Sequence, residues 1–320
     1  MDHEDSVSME KQVKIGVVGT GHVGAHTAYA LAIQGIADEV VICDVKEKKL
    51  DSERQDLFDT GVFYPHRVRV TAGTYEDLAG CDIIINAAGK VDLLIGNNDR
   101  TTELRYTVPQ TRTWAKAVKA AGFKGIVINV SNPCDVVTRE IAKILKLPEG
   151  HVFGTGTGLD TARLVAQISK VTDLDPRSIS AYMLGEHGNA QFAAWSCVSF
   201  NGMPLSSTGY AFDHDDLEAK ARQGGWVTFN GKQCTEYAIA SEAARLAYCV
   251  VHDTKTVTAA SALLHGEYGE KDLFIGVPCV IGKNGAEKVV ELPLTEEEKE
   301  KFHACAESIR KNMDTADHLA

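Results

Sequence analysis

Residues 13–24 read Val-Lys-Ile-Gly-Val-Val-Gly-Thr-Gly-His-Val-Gly. The first six are nearly all apolar, as expected for a strand covered on both faces. The next six, Gly19 to Gly24, form a G-x-G-x-x-G. His22 to Gln34 then carry apolar residues at helical spacing, and Gly35 stands where a helix stop belongs. Three fixed glycines arise by chance roughly 0.1 times in a chain of this length, so the string alone is weak. The strand before it and the helix after it give it weight. A second strand, Glu39 to Cys43, runs into Asp44, 20 residues beyond Gly24. A dinucleotide needs this arrangement. Gly19 permits the tight turn, Gly21 lets backbone approach a pyrophosphate, and Gly24 lets the helix pack on the strand. The helix N-terminus then faces negative phosphate. Asp44 would accept hydrogen bonds from ribose hydroxyls and repel a 2′-phosphate, which points to NAD rather than NADP. A ligand-free glycine turn and a methyltransferase loop are the competing readings, and the second half of the chain has to separate them.

Outward from this unit the alternation continues. Lys46 to Asp59 is charged and helical, Val68 to Thr71 is a short strand, and Asp82 to Ala87 is a buried one. A polar stretch from Gly89 to Asp99 precedes a helix over Thr101 to Ala121, and Gly125 to Val130 is the next strand. Such alternation implies right-handed βαβ units on a parallel sheet. The pattern changes after about Gly154. Helices over Leu159 to Lys170 and Glu236 to Val251 accompany strands over Ile179 to Leu184 and Val257 to Leu264, and a last helix runs from Thr295 to Met313. The expected fold is therefore α/β. A Rossmann-type doubly wound domain (1–154) is followed by an α+β substrate and catalytic domain (155–320).

Composition narrows the function classes. The chain has 320 residues, 44% of them hydrophobic and 24% charged, an ordinary globular balance. A net charge of −11 makes it a poor non-specific partner for nucleic acid. No segment approaches the ~18 continuous apolar residues of a membrane span. The polar, acidic start MDHEDSVSMEKQ carries no secretory signal pattern, so a cytoplasmic protein is expected. None of the eight cysteines forms a C-x-x-C pair, so no metal site is expected.

Three stretches carry candidate chemistry. Asp160 and Arg163 lie at i and i+3 where a helix opens, His187 lies between glycines just after a strand, and Arg100 lies where the polar loop meets a helix. Taken singly, Asp160 could cap its helix, Arg163 and Arg100 could be solvated charges, and His187 could be a surface turn. Together they match the parts of a hydride-transfer site for an α-keto acid.

The chain resembles the lactate/malate dehydrogenase family. The resemblance runs from about Val13 to the last helix. It rests on GTGHVG at 19–24, ICDV at 42–45, SNPCDVV at 131–137, GTGTGLDTAR at 154–163, LDPRS at 174–178 and GEHGN at 185–189. NDRTTELRYT at 98–107, LGEHGNAQFAAWS at 184–196 and GGWVTFNGK at 224–232 look closest to the L-2-hydroxyisocaproate dehydrogenases. The resemblance implies an NAD-dependent L-2-hydroxyacid dehydrogenase of broad range, with L-lactate dehydrogenase as the alternative. Malate dehydrogenase and a non-catalytic NAD-binding protein are less favoured. His187 would be the acid/base and Asp160 would hold its other ring nitrogen. Arg163 would pair with the substrate carboxylate, and Arg100, on a closing loop, would polarise the carbonyl. Asn132 would bond near the carbonyl and the nicotinamide. Val23 and Gly89 join Gly19, Gly21, Gly24, Asp44 and Asn132 as expected cofactor contacts. Thr235 aligns with a pocket threonine, with a core or cap role as the alternative.

Departures from the family pattern refine the substrate. Lys90 to Asp99 contain no arginine, and Asp92 lies where a dicarboxylate-binding arginine would stand, which disfavours malate. Leu93, Leu94 and Ile95 either line a wide pocket or pack on the protein. Val165 and Ser180 replace the arginine and histidine that bind fructose 1,6-bisphosphate in activated relatives, so no such activation is expected. The expected partner is a small 2-oxo or 2-hydroxy monocarboxylate, and the resemblance implies a dimer or tetramer.

Overall fold

The first strand read from the sequence is β1 (Lys14–Val18), with Ile15, Val17 and Val18 buried. In a computed structural model that describes residues 12–94, 101–188 and 190–319, it is followed by α1 (His22–Ile33), β2 (Glu39–Cys43), α2 (Glu47–Asp59), β3 (Arg69–Ala72), β4 (Ile83–Asn86), α3 (Thr101–Ala120), β5 (Ile126–Asn129), α4 (Cys134–Leu145) and β6 (Val152–Gly154). The six strands are parallel and lie in the order β3-β2-β1-β4-β5-β6. Winding reverses between β1 and β4, and in such sheets the ligand crevice opens beyond the carboxyl ends of the strands at that point. Alternate residues of β4 serve the two layers. Ile83 and Ile85 pack with Ala28 and Leu31 of α1, whereas Ile84 packs with Trp114 of α3.

The second half adds α5 (Gly158–Thr172), β7 (Ile179–Ser180), β8 (Met183–Gly185), β9 (Gln191–Ala193), β10 (Ser199–Phe200), β11 (Met203–Pro204), α6 (His214–Lys232), α7 (Tyr237–Val251), β12 (Thr256–His265), β13 (Lys271–Gly282), β14 (Gly285–Val289) and α8 (Glu296–Asp317). Antiparallel strands continue the parallel sheet without a break, in the order β6-β12-β13-β8-β9. The join is Gly154 against Ser261. A Cβ on Gly154 would lie 2.7 Å from Sγ of Cys134 and 3.0 Å from Cβ of Ser261, so only glycine lets the strands close here.

The structure refines the reading of the second half. The single strand expected over Ile179 to Leu184 is two. β7 joins a small sheet with β10 and β11, and β8 joins the main sheet. Helix α6 escaped the periodicity reading because Gly224, Gly225 and Gly231 make it look like turn. Strand β13 is long but contains Pro278, which argues against a central strand on sequence grounds. The N-terminus of α8 has a full capping box, in which Thr295 accepts from the Glu298 amide and Glu298 accepts from the Thr295 amide. No helix among the described residues is long and apolar enough to cross a membrane.

Candidate active site

The glycine loop leaves β1 with Gly19 at φ +87°. A Cβ there would sit 2.8 Å from the Ala88 backbone, and one on Gly24 would sit 1.8 Å from the Gly19 carbonyl oxygen. Both positions therefore exclude a side chain. Gly21 differs, because nothing lies within 4 Å of its missing Cβ. It is also the N-cap of α1, with no side-chain cap and no acidic residue in the first turn. The first amides of α1 thus open onto a bare, electropositive space suited to phosphate.

Asp44 follows β2 and is held rigidly. Its Oδ2 accepts the Thr20 N–H at 2.7 Å and the Thr20 hydroxyl at 3.1 Å, and its Oδ1 accepts the Lys46 N–H at 2.9 Å. The ends of β4 and β5 are tied by Asn86 Nδ2, which donates to Asn129 Oδ1 at 2.9 Å. Asn129 Nδ2 in turn donates to the carbonyls of Ser131 and Cys134, at 3.1 and 3.0 Å. This network fixes the turn bearing Asn132, whose Oδ1 is buried with no hydrogen bond among the described residues. An unpaired buried acceptor is costly, so it calls for a donor from a ligand.

Asp160 stands in the first turn of α5 and is 1% exposed. Its Oδ2 lies 2.5 Å from Nδ1 of His187, and its Oδ1 accepts from Nη1 of Arg163 at 2.9 Å. Arg163 reaches this position along α6, where a Cβ on Gly224 would lie 3.1 Å from Cδ of Arg163. His187 follows β8 in a loop gripped from outside. Glu186 accepts from Ser308 Oγ at 3.1 Å and from Asn312 Nδ2 at 3.0 Å, both on α8. From inside, the buried Asp135 of α4 takes the hydroxyl of Ser261 at 2.6 Å and a hydrogen bond from the His187 backbone. Burial pushes the Asp135 carboxyl up to about 7.

These parts line one cleft of about 490 Å³, within the usual size of small-molecule sites. Gly19, Gly21, Val23, Asp44, Gly89, Asn132, Arg163, His187 and Thr235 all face it. Asp160 and Gly24 stand behind it, and Asp92 lies at its edge. Arg100 and Ile95 lie outside the described residues. Sequence reasoning missed Asp135, although it lies in the quoted SNPCDVV. It also missed Trp226, Phe229 and Ile239, which line the cleft from α6 and α7.

Comparison with known proteins places the chain in a family. Residues 13–154 match the lactate/malate dehydrogenase NAD binding domain, and residues 157–320 match the lactate/malate dehydrogenase alpha/beta C-terminal domain. The chain belongs to the lactate/malate dehydrogenase family. Among its relatives, an L-lactate dehydrogenase of Fusobacterium nucleatum is 38% identical over 303 residues, covering 92% of this chain and 94% of the relative. L-lactate dehydrogenase 1 of Bifidobacterium longum is 38% identical over 310 residues, covering 94% and 97%. A ligand-bound crystal structure of minor L-lactate dehydrogenase from Enterococcus mundtii superposes with a TM-score of 0.89 at 34% identity, covering 95% of this chain and 98% of that one. The chain is thus an NAD-dependent oxidoreductase acting on 2-hydroxy acids. The glycine cradle, the fixed Asp44 and the unpaired Asn132 oxygen fit that cofactor.

Proposed function

We propose that this dehydrogenase interconverts L-lactate and pyruvate, with residues 1–154 carrying the cofactor and residues 155–320 the substrate. One observation carries the reading. A single buried carboxylate, Asp160, orients both an imidazole and a guanidinium at the cleft. Bound NAD supplies the hydride donor and acceptor. Gly19, Gly21, Val23, Gly24, Asp44 and Gly89 are assigned to hold it, and Asn132 offers its oxygen to the carboxamide region. Asp160 engages Nδ1 of His187, so the ring presents Nε2 to the substrate oxygen. There it gives a proton on reduction and takes one on oxidation. The Asp160 carboxylate stabilises the imidazolium in the oxidative direction. A guanidinium has five N–H donors, so one bond to Asp160 is compatible with two-pronged pairing of Arg163 to the substrate carboxylate. Arg100 is assigned to polarise the carbonyl, and Thr235 to contact the substrate.

The names of the relatives favour lactate over 2-hydroxyisocaproate. A second reading, toward larger 2-oxo acids, is favoured by Gly225 on the cleft wall, which presents no side chain beside Trp226 and Phe229. The exposed Asp92 at the rim would repel a second carboxylate and speaks against oxaloacetate. The test is kcat/KM with NADH for pyruvate, 2-oxoisocaproate, phenylpyruvate and oxaloacetate. A preference for pyruvate supports the first reading. A tenfold preference for 2-oxoisocaproate would replace it with the second, and efficient oxaloacetate turnover would overturn both.

A further inference from the structure

His22 is the first residue of α1, and Cys234 and Glu236 lie in the turn between α6 and α7. One imidazole nitrogen, the thiol sulfur and one carboxylate oxygen from these three residues lie within 4.8 Å of one another. Glu236 is 7% exposed. Lys232 binds its Oε1 from one side. Its Oε2 is buried without a hydrogen bond among the described residues. Nδ1 of His22 stands 3.0 Å from that oxygen and Nδ1 of His26 stands 3.6 Å away, yet neither makes a hydrogen bond to it. The His26 nitrogen is instead directed at the carbonyl of His22, at 2.7 Å. A buried carboxylate oxygen thus faces a cluster of nitrogen and sulfur donors through ion-pair distances alone, a place where a bound cation would complete its coordination.

We propose that His22, Cys234 and Glu236 form a zinc-type transition-metal site at the rim of the cleft. Imidazole, thiolate and carboxylate together suit zinc and its neighbours, whereas magnesium and calcium take oxygen donors. Ligand atoms about 2.0–2.3 Å from an ion in a tetrahedron lie about 3.3–3.7 Å apart. The cluster needs to close by roughly 1 Å to reach that spacing. His22 can supply the movement, since its side chain is 67% exposed. On binding, the Cys234 thiol releases its proton to solvent and coordinates as thiolate. Three protein ligands leave a fourth position for water. Gly21 and Val23 flank His22, and Thr235 lies between Cys234 and Glu236, all three on the cleft wall. The ion would therefore tie the start of α1 to the α6–α7 turn beside both expected binding regions.

The test is titration of chelator-treated full-length protein with cobalt(II), followed by zinc(II). The expected result is one cobalt per chain, with a thiolate-to-cobalt charge-transfer band that zinc abolishes. Cys234→Ser should remove the band. His22→Asn changes an exposed side chain that the fold does not depend on, so it decides the matter even if the cysteine variant does not fold. It should weaken cobalt binding about tenfold or more. Absence of stoichiometric binding, a band that persists in Cys234→Ser, or unchanged affinity in His22→Asn would each overturn the site.

Discussion

Nδ1 of His187 lies 2.5 Å from Oδ2 of Asp160, across 27 residues of chain. The other oxygen of the same carboxylate holds Arg163 at 2.9 Å. The proposed proton donor and carboxylate anchor therefore share one orienting group. Asp160→Asn keeps the shape but fails to fix the tautomer of His187 or to stabilise its charged form. It should lower kcat/KM on the order of 10²–10⁴-fold, as in other carboxylate–imidazole pairs, and it should also raise KM through Arg163. His187→Gln should lower kcat comparably with KM nearly unchanged. NADH binding, followed by fluorescence, should hold in both. A loss under tenfold in either variant would remove His187 from the proposed chemistry.

Gly224 and Arg163 are coupled by shape. A methyl group at 224 would lie 3.1 Å from Cδ of Arg163, so the guanidinium has to move by a few tenths of an ångström. Alanine is nevertheless the better helix former, by about 1 kcal/mol. Gly224→Ala should thus pull two measurements apart. Tm should rise by about 1–3 °C, while KM for the 2-oxo acid rises severalfold. An unchanged KM would separate Arg163 from substrate binding.

The bonds from Thr20 and Lys46 hold Asp44 against the glycine loop at 2.7–3.1 Å. A carboxylate fixed there repels a 2′-phosphate. Asp44→Ser should raise KM for NADH about tenfold and narrow the preference for NADH over NADPH by a larger factor. Steady-state kinetics with both cofactors reads this directly, and an unaltered cofactor ratio would remove Asp44 from the ribose contact.

Asp135 makes stability depend on pH. Burial raises its carboxyl from 3.8 to about 7, so the folded chain holds this proton more tightly than the unfolded chain does. The associated stability is complete below the unfolded value and is lost as pH climbs through about 7. Asparagine has no such proton. Between about pH 5 and 8, Tm of the parent should therefore fall more steeply than that of Asp135→Asn. The difference should correspond to about 1.4 kcal/mol per unit of pKa shift, a few kcal/mol at most. Parallel Tm curves would show that Asp135 titrates alike in both states.

Local chemistry explains what could be read from the chain alone. The β1–glycine loop–α1 signature spans a dozen residues, in which Gly24 yields to the Gly19 carbonyl, Gly19 takes a positive φ, and Gly21 leaves its space open. The alternation of apolar runs and helices likewise determines a parallel sheet, because strands buried on both faces have no other stable environment. The short motifs around Asp160 and His187 name the chemistry, since few residue types can hold and move a proton near neutral pH. Everything that depends on closure over long separations stayed out of reach. Periodicity does not reveal that β12 docks on β6 through Gly154, or that α6 uses its glycines to seat Arg163. The burial of Asp135 beneath the His187 loop, and the meeting of His22 with Cys234 and Glu236, join residues more than fifty and two hundred positions apart. Such contacts follow from the packing of whole layers, and no local pattern encodes them. The net charge of −11 carries the same lesson. Summed over the chain it argues against an anionic substrate, yet the field in the cleft is set by a few groups that folding brings together, Arg163 first among them.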